Sequence, residues 1–296
     1  MKVLSLFDGI SCGRLALERS GITVDRYVAY EIESNAIKVS KANWDDIEHC
    51  GDVTTADFNQ YKGFDAIIGG FPCQDLSINK RDRKGLDGKR SGLFWHLVRA
   101  IEEVKPRYFL VENNYKMPKK DQDIITQTLG VEPILIYSGK VSAQSRYRLY
   151  WTNIPNVQQP KDLHIYLKDI VDHGVTEEKD LASITKFNNK IYNNYDRPAR
   201  IGTIGKGGQG ERVYSIEGKS VTLKANGGGR GAKAGLYLID DVVRKPTPIE
   251  CERLQTLPDN YTACLSDNER RKVIGNGWTV DVIAHILSFL PDEYKR

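Results

Sequence analysis

A chain of 296 residues, 40% hydrophobic and 28% charged, is long enough to bury a substantial core and has ordinary globular composition. Its five cysteines are odd in number with no C-x-x-C pair, and its five histidines lack ligand spacing, so neither a disulfide framework nor a metal is expected. No apolar run approaches the ~20 residues of a membrane span, and Asp8 cuts short the opening MKVLSLF, so no membrane association and a cytoplasmic location are expected.

The net charge of +4 is unevenly placed. Residues 186–235 hold ten Lys/Arg against three acids, and KRDRKGLDGKR at 80–90 holds six bases against two acids, while the remainder is net acidic. Two basic stretches on an acidic background point to a polyanion met on one face. Solvated loops with random charge are the competing reading.

Taken in chain order, KVLSLF predicts a strand ending at Asp8-Gly9, and GRLALERSG a helix stopped by Gly21. RYVAYEI reads as a strand and SNAIKVSKAN as a helix capped by Ser34. GDVT follows a short third strand, DAIIGG is a strand, GLFWHLVRAIEEV an amphipathic helix and PRYFLVEN a strand. DQDIITQTLG is helical, and VEPILIYSG and RLYWTNI are strands. Such alternation implies a mainly parallel sheet with helices on both faces and ligands at the carboxyl ends of the strands. After Pro155 the pattern changes to short β-type runs, ERVYSI, KSVTL and GLYLI, flanked by glycine clusters at 205–210 and 226–231. Helical signals return in TPIECERLQTL and TVDVIAHILSFL. The expected organisation is a Rossmann-like α/β domain over 1–155 and 246–296, with a small β-rich domain inserted at 156–245. Phe94, Trp95 and Trp151 are expected in the core, and Cys50, Cys251 and Cys264 as buried hydrophobes.

Strand ends carry the chemistry. LFDGISCG places a glycine turn between the first strand and helix, but lacks the G-x-G-x-x-G of dinucleotide binders. Glu31 closes the second strand, where an acid can accept both ribose hydroxyls, and Asp52 is suited to an adenine amino group. In GGFPCQDLS, Cys73 is either a packed thiol or a nucleophile facing the ligand crevice. Glu112 in FLVENN, with Arg146 and Arg148 of QSRYRLYW read as alternating on one strand face, would complete a set suited to an electron-poor ring.

The ordered segments FDGISCG, GGFPCQDLS, LVENN, QSRYR, ECERLQTLPDNYT and IGNGWTVDVIAHIL resemble the DNA cytosine-C5 methyltransferases over nearly the whole chain. FDGI, PCQDLS, RKGL and WTVDVI are similar to the animal de novo branch, and the 205–238 region to phage and bacterial members. The resemblance implies S-adenosylmethionine as methyl donor, S-adenosylhomocysteine as product, and a flipped-out cytosine in double-stranded DNA. It implies that Cys73 attacks C6, that Glu112 holds and protonates N3, and that Arg146 and Arg148 orient the base. The cofactor contacts it implies are Phe7, Asp8, Gly9, Ile10, Glu31, Ile32, Asp52, Val53, Phe71, Pro72, Leu93, Asn276, Gly277 and Trp278. Gln74, Ser77, Lys80, Arg81, Arg83 and Lys84 would sit in a loop closing on DNA, with Lys206, Arg230 and Lys233 in the recognition domain. Two departures are evident: Asn114 stands where the family usually has valine, and Ser11 where many bacterial relatives have a second glycine. A monomer is expected, with a restriction endonuclease as a possible partner. The competing functions are a tRNA cytosine-C5 methyltransferase, a catalytically inert DNA-binding regulator, and a nicotinamide or flavin enzyme.

Overall fold

Short runs of branched and aromatic residues form a seven-stranded sheet in the computed structural model, which describes residues 1–72, 91–175, 184–187, 195–226 and 230–295. Its strands are β1 (Lys2–Leu6), β2 (Arg26–Tyr30), β3 (Ile47–His49), β4 (Ala66–Gly69), β5 (Tyr108–Asn114), β6 (Ile134–Tyr137) and β7 (Tyr147–Thr152). They lie in the order β3-β2-β1-β4-β5-β7-β6. The first five pair in parallel, and β7 runs antiparallel to β5. Helices α1 (Cys12–Arg19), α2 (Ser34–Asn43), α3 (Phe94–Val104) and α4 (Lys119–Leu129) connect these strands. Leu4, Leu6, Val28 and Ile67 join α3 and α4 in one core, while Val3, Tyr27 and Ile68, at alternate positions, are also buried. Burial of both faces is why these strands read as continuous apolar runs.

The strand order reverses between β1 and β4, which places a ligand crevice beyond Leu6 and Gly69. Gly69 is required there: a Cβ on it would meet the Leu6 carbonyl oxygen at 2.8 Å. On α3, Phe94, Leu97, Ala100 and Val104 form the buried stripe. Full burial of a side chain like Phe94 or Leu97 contributes about 1.5–3 kcal/mol. The helix ends where Lys105 adopts a left-handed φ of 53° before Pro106.

Two compact units divide the chain: Met1–Ile136, Tyr147–Gln159 and Ile283–Arg296 form one, and Tyr137–Arg146 with Pro160–Val282 the other. The second contains β8 (Lys186–Phe187), β9 (Arg200–Thr203), β10 (Arg212–Ser215), β11 (Leu236–Ile239) and β12 (Val242–Arg244), ordered β12-β11-β10-β9-β8. Ile204, Val213, Leu236 and Val243 are its small apolar core. Helices α5 (Pro248–Leu254) and α6 (Asp267–Asn276) follow, and α7 (Val280–Leu287) comes near the C-terminus.

Several expectations change. Ser34 is the first residue of α2, whose N-cap is Glu33, so it does not cap the helix. KSVTL is not a strand. Its Lys219 is fully buried and donates to the carbonyls of Gly139, Ser142 and Ile165, so it does not belong to the basic surface. Burial pulls its ammonium down from the usual lysine range. Trp95 is 46% exposed, whereas Phe94 and Trp151 are buried. Among the three cysteines expected inside, Cys251 is buried, Cys264 half-buried and Cys50 exposed.

Candidate active site

Beyond β1 the chain turns sharply, with φ of 58° at Phe7, 60° at Gly9 and 60° at Ser11. Left-handed geometry costs a non-glycine residue about 1–2 kcal/mol, so Ser11 needs compensation. Its hydroxyl donates to the Asp8 carboxylate at 2.5 Å and pairs with Ser40 of α2 at 2.6 Å. Asp8 also accepts from Ser5 at 2.6 Å and from Tyr27 at 2.7 Å. Burial pushes the Asp8 carboxyl up, with the three hydroxyls pulling the other way. Its carboxylate thus braces the loop from within.

Glu31 follows β2 directly and accepts from the N–H groups of Gly9, Ile32 and Glu33, each at 2.8 Å. A carboxylate has about four lone-pair sites, so one acceptor position remains after these three bonds. Beside it, the Ile32 side chain is 71% exposed and offers an apolar face. Asp52 lies beyond the end of β3 and accepts from the Thr54 N–H at 2.8 Å, which holds its carboxyl below the usual range. Ile10, Val53 and Phe71 are buried, and Pro72 and Leu93 are half-buried. The turn from Phe7 to Ser11 holds no basic residue, so this acidic set opposes a pyrophosphate. It suits a nucleoside that brings positive charge, as S-adenosylmethionine does.

Glu112 lies inside β5, two residues before its end, and is 9% exposed. Arg148 of β7 donates from Nε to its Oε1 at 2.8 Å. The register sets Arg148 opposite Asn114 and Tyr150 opposite Glu112, so the guanidinium reaches the carboxylate diagonally. The neighbouring Asn113 is buried and donates from Nδ2 to the Phe71 carbonyl at 3.0 Å. That bond anchors the chain two residues before Cys73. Asn114, the departure from the family pattern, accepts from the Lys116 N–H at 3.1 Å and shapes the turn after β5. Cys73, Gln74, Ser77, Lys80, Arg81, Arg83 and Lys84 lie outside the described residues.

Arg146 does not share a strand with Arg148, because β7 begins at Tyr147. Arg146 belongs to the second unit, is 4% exposed, and donates to the carbonyls of Leu223 at 3.2 Å and Gly277 at 3.1 Å. In that unit Asn276 ends α6 and is exposed, Gly277 caps the helix and is buried, and Trp278 is half-buried. Gly275 is dictated by close packing: a Cβ there would lie 2.6 Å from the Ala225 nitrogen. The two glycine loops meet where the Gly231 N–H donates to the Gly210 carbonyl at 2.8 Å. Lys206 and Arg230 are exposed and Lys233 is half-buried. Sequence reasoning missed Asn113, Gln144 and Gln255. The Q-x-R-x-R motif was the only signal for Gln144, and nothing local marked Gln255.

A family model described as C-5 cytosine-specific DNA methylase matches residues 1–290. The chain belongs to this family. The methylase is 32% identical to Type II methyltransferase M.HhaI of Haemophilus parahaemolyticus, over 97% of this chain and 93% of that protein. It is 28% identical to Type II methyltransferase M1.ScrFI of Lactococcus lactis subsp. cremoris, over 95% of this chain and 76% of that one. The solved Entamoeba histolytica methyltransferase EhMeth superposes with a TM-score of 0.76 at 18% identity, covering 100% of this chain and 99% of that one, which speaks for the fold. The methylase transfers a methyl group from S-adenosylmethionine to C5 of cytosine in DNA. Among the described residues no helix is long and apolar enough to cross a membrane, and no group of three or more potential metal ligands gathers.

Proposed function

We propose that Cys73 is the nucleophile of this methyl transfer and Glu112 its proton-handling partner. The observation that carries the reading is the Glu112–Arg148 pair on adjacent strands, beside the Asn113 bond to Phe71 that anchors the approach to Cys73. Cys73 as thiolate adds to C6 of a cytosine flipped from the duplex, and Glu112 holds the proton at N3 so that the ring can accept the electron pair. S-adenosylmethionine supplies an electrophilic methyl group on a positive sulfur. Loss of the C5 proton then expels Cys73 and restores the aromatic ring. Arg148 fixes the orientation of Glu112, and Arg146 orients the base or its neighbours. Phe7, Gly9, Ile10, Glu31, Ile32, Asp52, Val53, Phe71, Pro72 and Leu93 hold the cofactor, together with Asn276, Gly277 and Trp278; Asp8 supports them from beneath. The remaining Glu31 acceptor site and the exposed Ile32 face support a ribose and a purine there.

Double-stranded DNA with a defined target sequence is the substrate in this reading, met by the basic loop at 74–84 and by Lys206, Arg230 and Lys233. The domain boundaries at 155 and 245 follow the same reading. It extends to a cytoplasmic monomer with a companion restriction endonuclease, supported by relatives named as Type II methyltransferases. Cys73→Ala tests the core of it. The variant should lose methyl transfer by at least about 10⁴-fold, yet keep the rise in melting temperature that S-adenosylmethionine confers. Wild-type protein should form a covalent adduct with DNA containing 5-fluorocytosine. Turnover by Cys73→Ala would sink the mechanism.

A further inference from the structure

Part of the buried interior of the second unit is a neutral hydrogen-bond network. Gln144 and Gln255 are both fully buried. Gln255 Nε2 donates to the carbonyls of Ile274 and Gly277, each at 2.9 Å. Its Oε1 accepts from Gln144 Nε2 at 3.0 Å and from the Thr279 hydroxyl at 2.8 Å. Two donors and two lone pairs are the full capacity of a side-chain amide, so the group has one satisfactory orientation. Gln144 Oε1 in turn accepts from the Leu223 N–H at 2.9 Å. The Gly277 carbonyl held this way also accepts from the Arg146 guanidinium, whose other bond goes to the carbonyl of Leu223, the residue whose N–H Gln144 holds. A planar guanidinium fork is sensitive to where its acceptors lie, because its donors have fixed directions.

We propose that Gln255 is a positioning residue for methyl transfer: by fixing the Gly277 carbonyl it sets the Arg146 guanidinium, without touching substrate itself. The inference rests on the reading that Arg146 orients the target base. The geometry also fixes the chemistry of the test. Gln255→Glu keeps shape but replaces the two-proton donor with a carboxyl, which donates to at most one of the two carbonyls when protonated and repels both when ionised.

The experiment is a double-mutant cycle in full-length protein, combining Gln255→Glu with Arg146→Lys, read as kcat and KM on duplex DNA with S-adenosylmethionine. Each single variant should lower kcat by about 10–100-fold, with KM for S-adenosylmethionine changed by less than about threefold. Because both act through one guanidinium, the double variant should be about as slow as the slower single one. Multiplied losses, or a Gln255→Glu enzyme at wild-type speed, would overturn the inference while leaving the role of Arg146 intact. If Arg146→Lys ran at wild-type speed, the reading of Arg146 would fail and the inference with it. Should Gln255→Glu not fold, Thr279→Val removes only the hydroxyl that donates to Oε1. It should slow kcat by about threefold and show the same non-additivity, and multiplied losses there would equally overturn the proposal.

Discussion

Glu31 and Gln255 do the same mechanical task in opposite ways. Each gathers several backbone groups, but Glu31 is a half-exposed anion accepting from the N–H groups of Ile32 and Glu33, just ahead of α2, and of Gly9 in the turn after β1. There the helix N-terminus favours negative charge. Gln255 is neutral and fully buried, and gives both protons to carbonyls. An anion at the surface of a turn keeps capacity for a ligand. A buried amide with every valence filled keeps none, and so can only position others.

That contrast can be broken by measurement. Gln255→Leu takes one donor from each of the Ile274 and Gly277 carbonyls, which keep the Gly277 N–H and Arg146, and leaves the Thr279 hydroxyl and one Gln144 proton without their acceptor, so it should cost about 2–4 kcal/mol of stability in urea unfolding. A loss below about 1 kcal/mol would mean that the interior admits water. Glu31→Ala should cost only about 1 kcal/mol of stability, since water can replace its bonds, but weaken S-adenosylmethionine binding by about 10–100-fold in calorimetry. Unchanged affinity would remove Glu31 from the cofactor site. The smallest effect concerns Asp8. Burial raises its folded-state pKa above the unfolded value, so its contribution to stability is most favourable below the unfolded value of about 3.9 and declines as pH rises through the folded pKa. Asp8→Asn removes that decline, so the melting temperature of the variant relative to wild type should improve as pH rises above about 4 and level off once the folded-state Asp8 is ionised. A difference independent of pH would show that Asp8 does not titrate as its burial implies.

Legibility followed sequence distance. β1, β2, β4 and α3 were readable because apolar runs and helical spacing are local signals, and Glu31 fell at a strand end as its position after RYVAY implied. Asp8 was visible as a residue but not as a brace, since Ser5 and Ser11 reach it only through the geometry of the turn after β1 and Tyr27 comes from another strand. The two arginines of QSRYR looked equivalent by alternation. They differ because the strand starts between them and because the carbonyls held by Arg146 lie 77 and 131 positions away in sequence. Lys219 misled for the same reason: a lysine in a basic, glycine-rich stretch reads as surface charge, and only the fold supplies three carbonyls to bury it. The resemblance to a family identified the reaction and named candidate residues for it. It did not reveal the amides that hold Gly277.

The pairing of Leu6 with Gly69 has a kinetic meaning. The turn that begins at Phe7 and the segment that begins at Gly70 leave the sheet from neighbouring parallel strands, about 4.8 Å apart. In the mechanism proposed above, a methyl donor on the first and a thiol on the second would serve C5 and C6, adjacent carbons of one ring, each held close to its reacting atom. Well-oriented pairs of this kind can behave as if at about 10⁵ M or more. The backbone register, drawn close by a residue without a side chain, would on that mechanism supply part of the rate before any catalytic group acts.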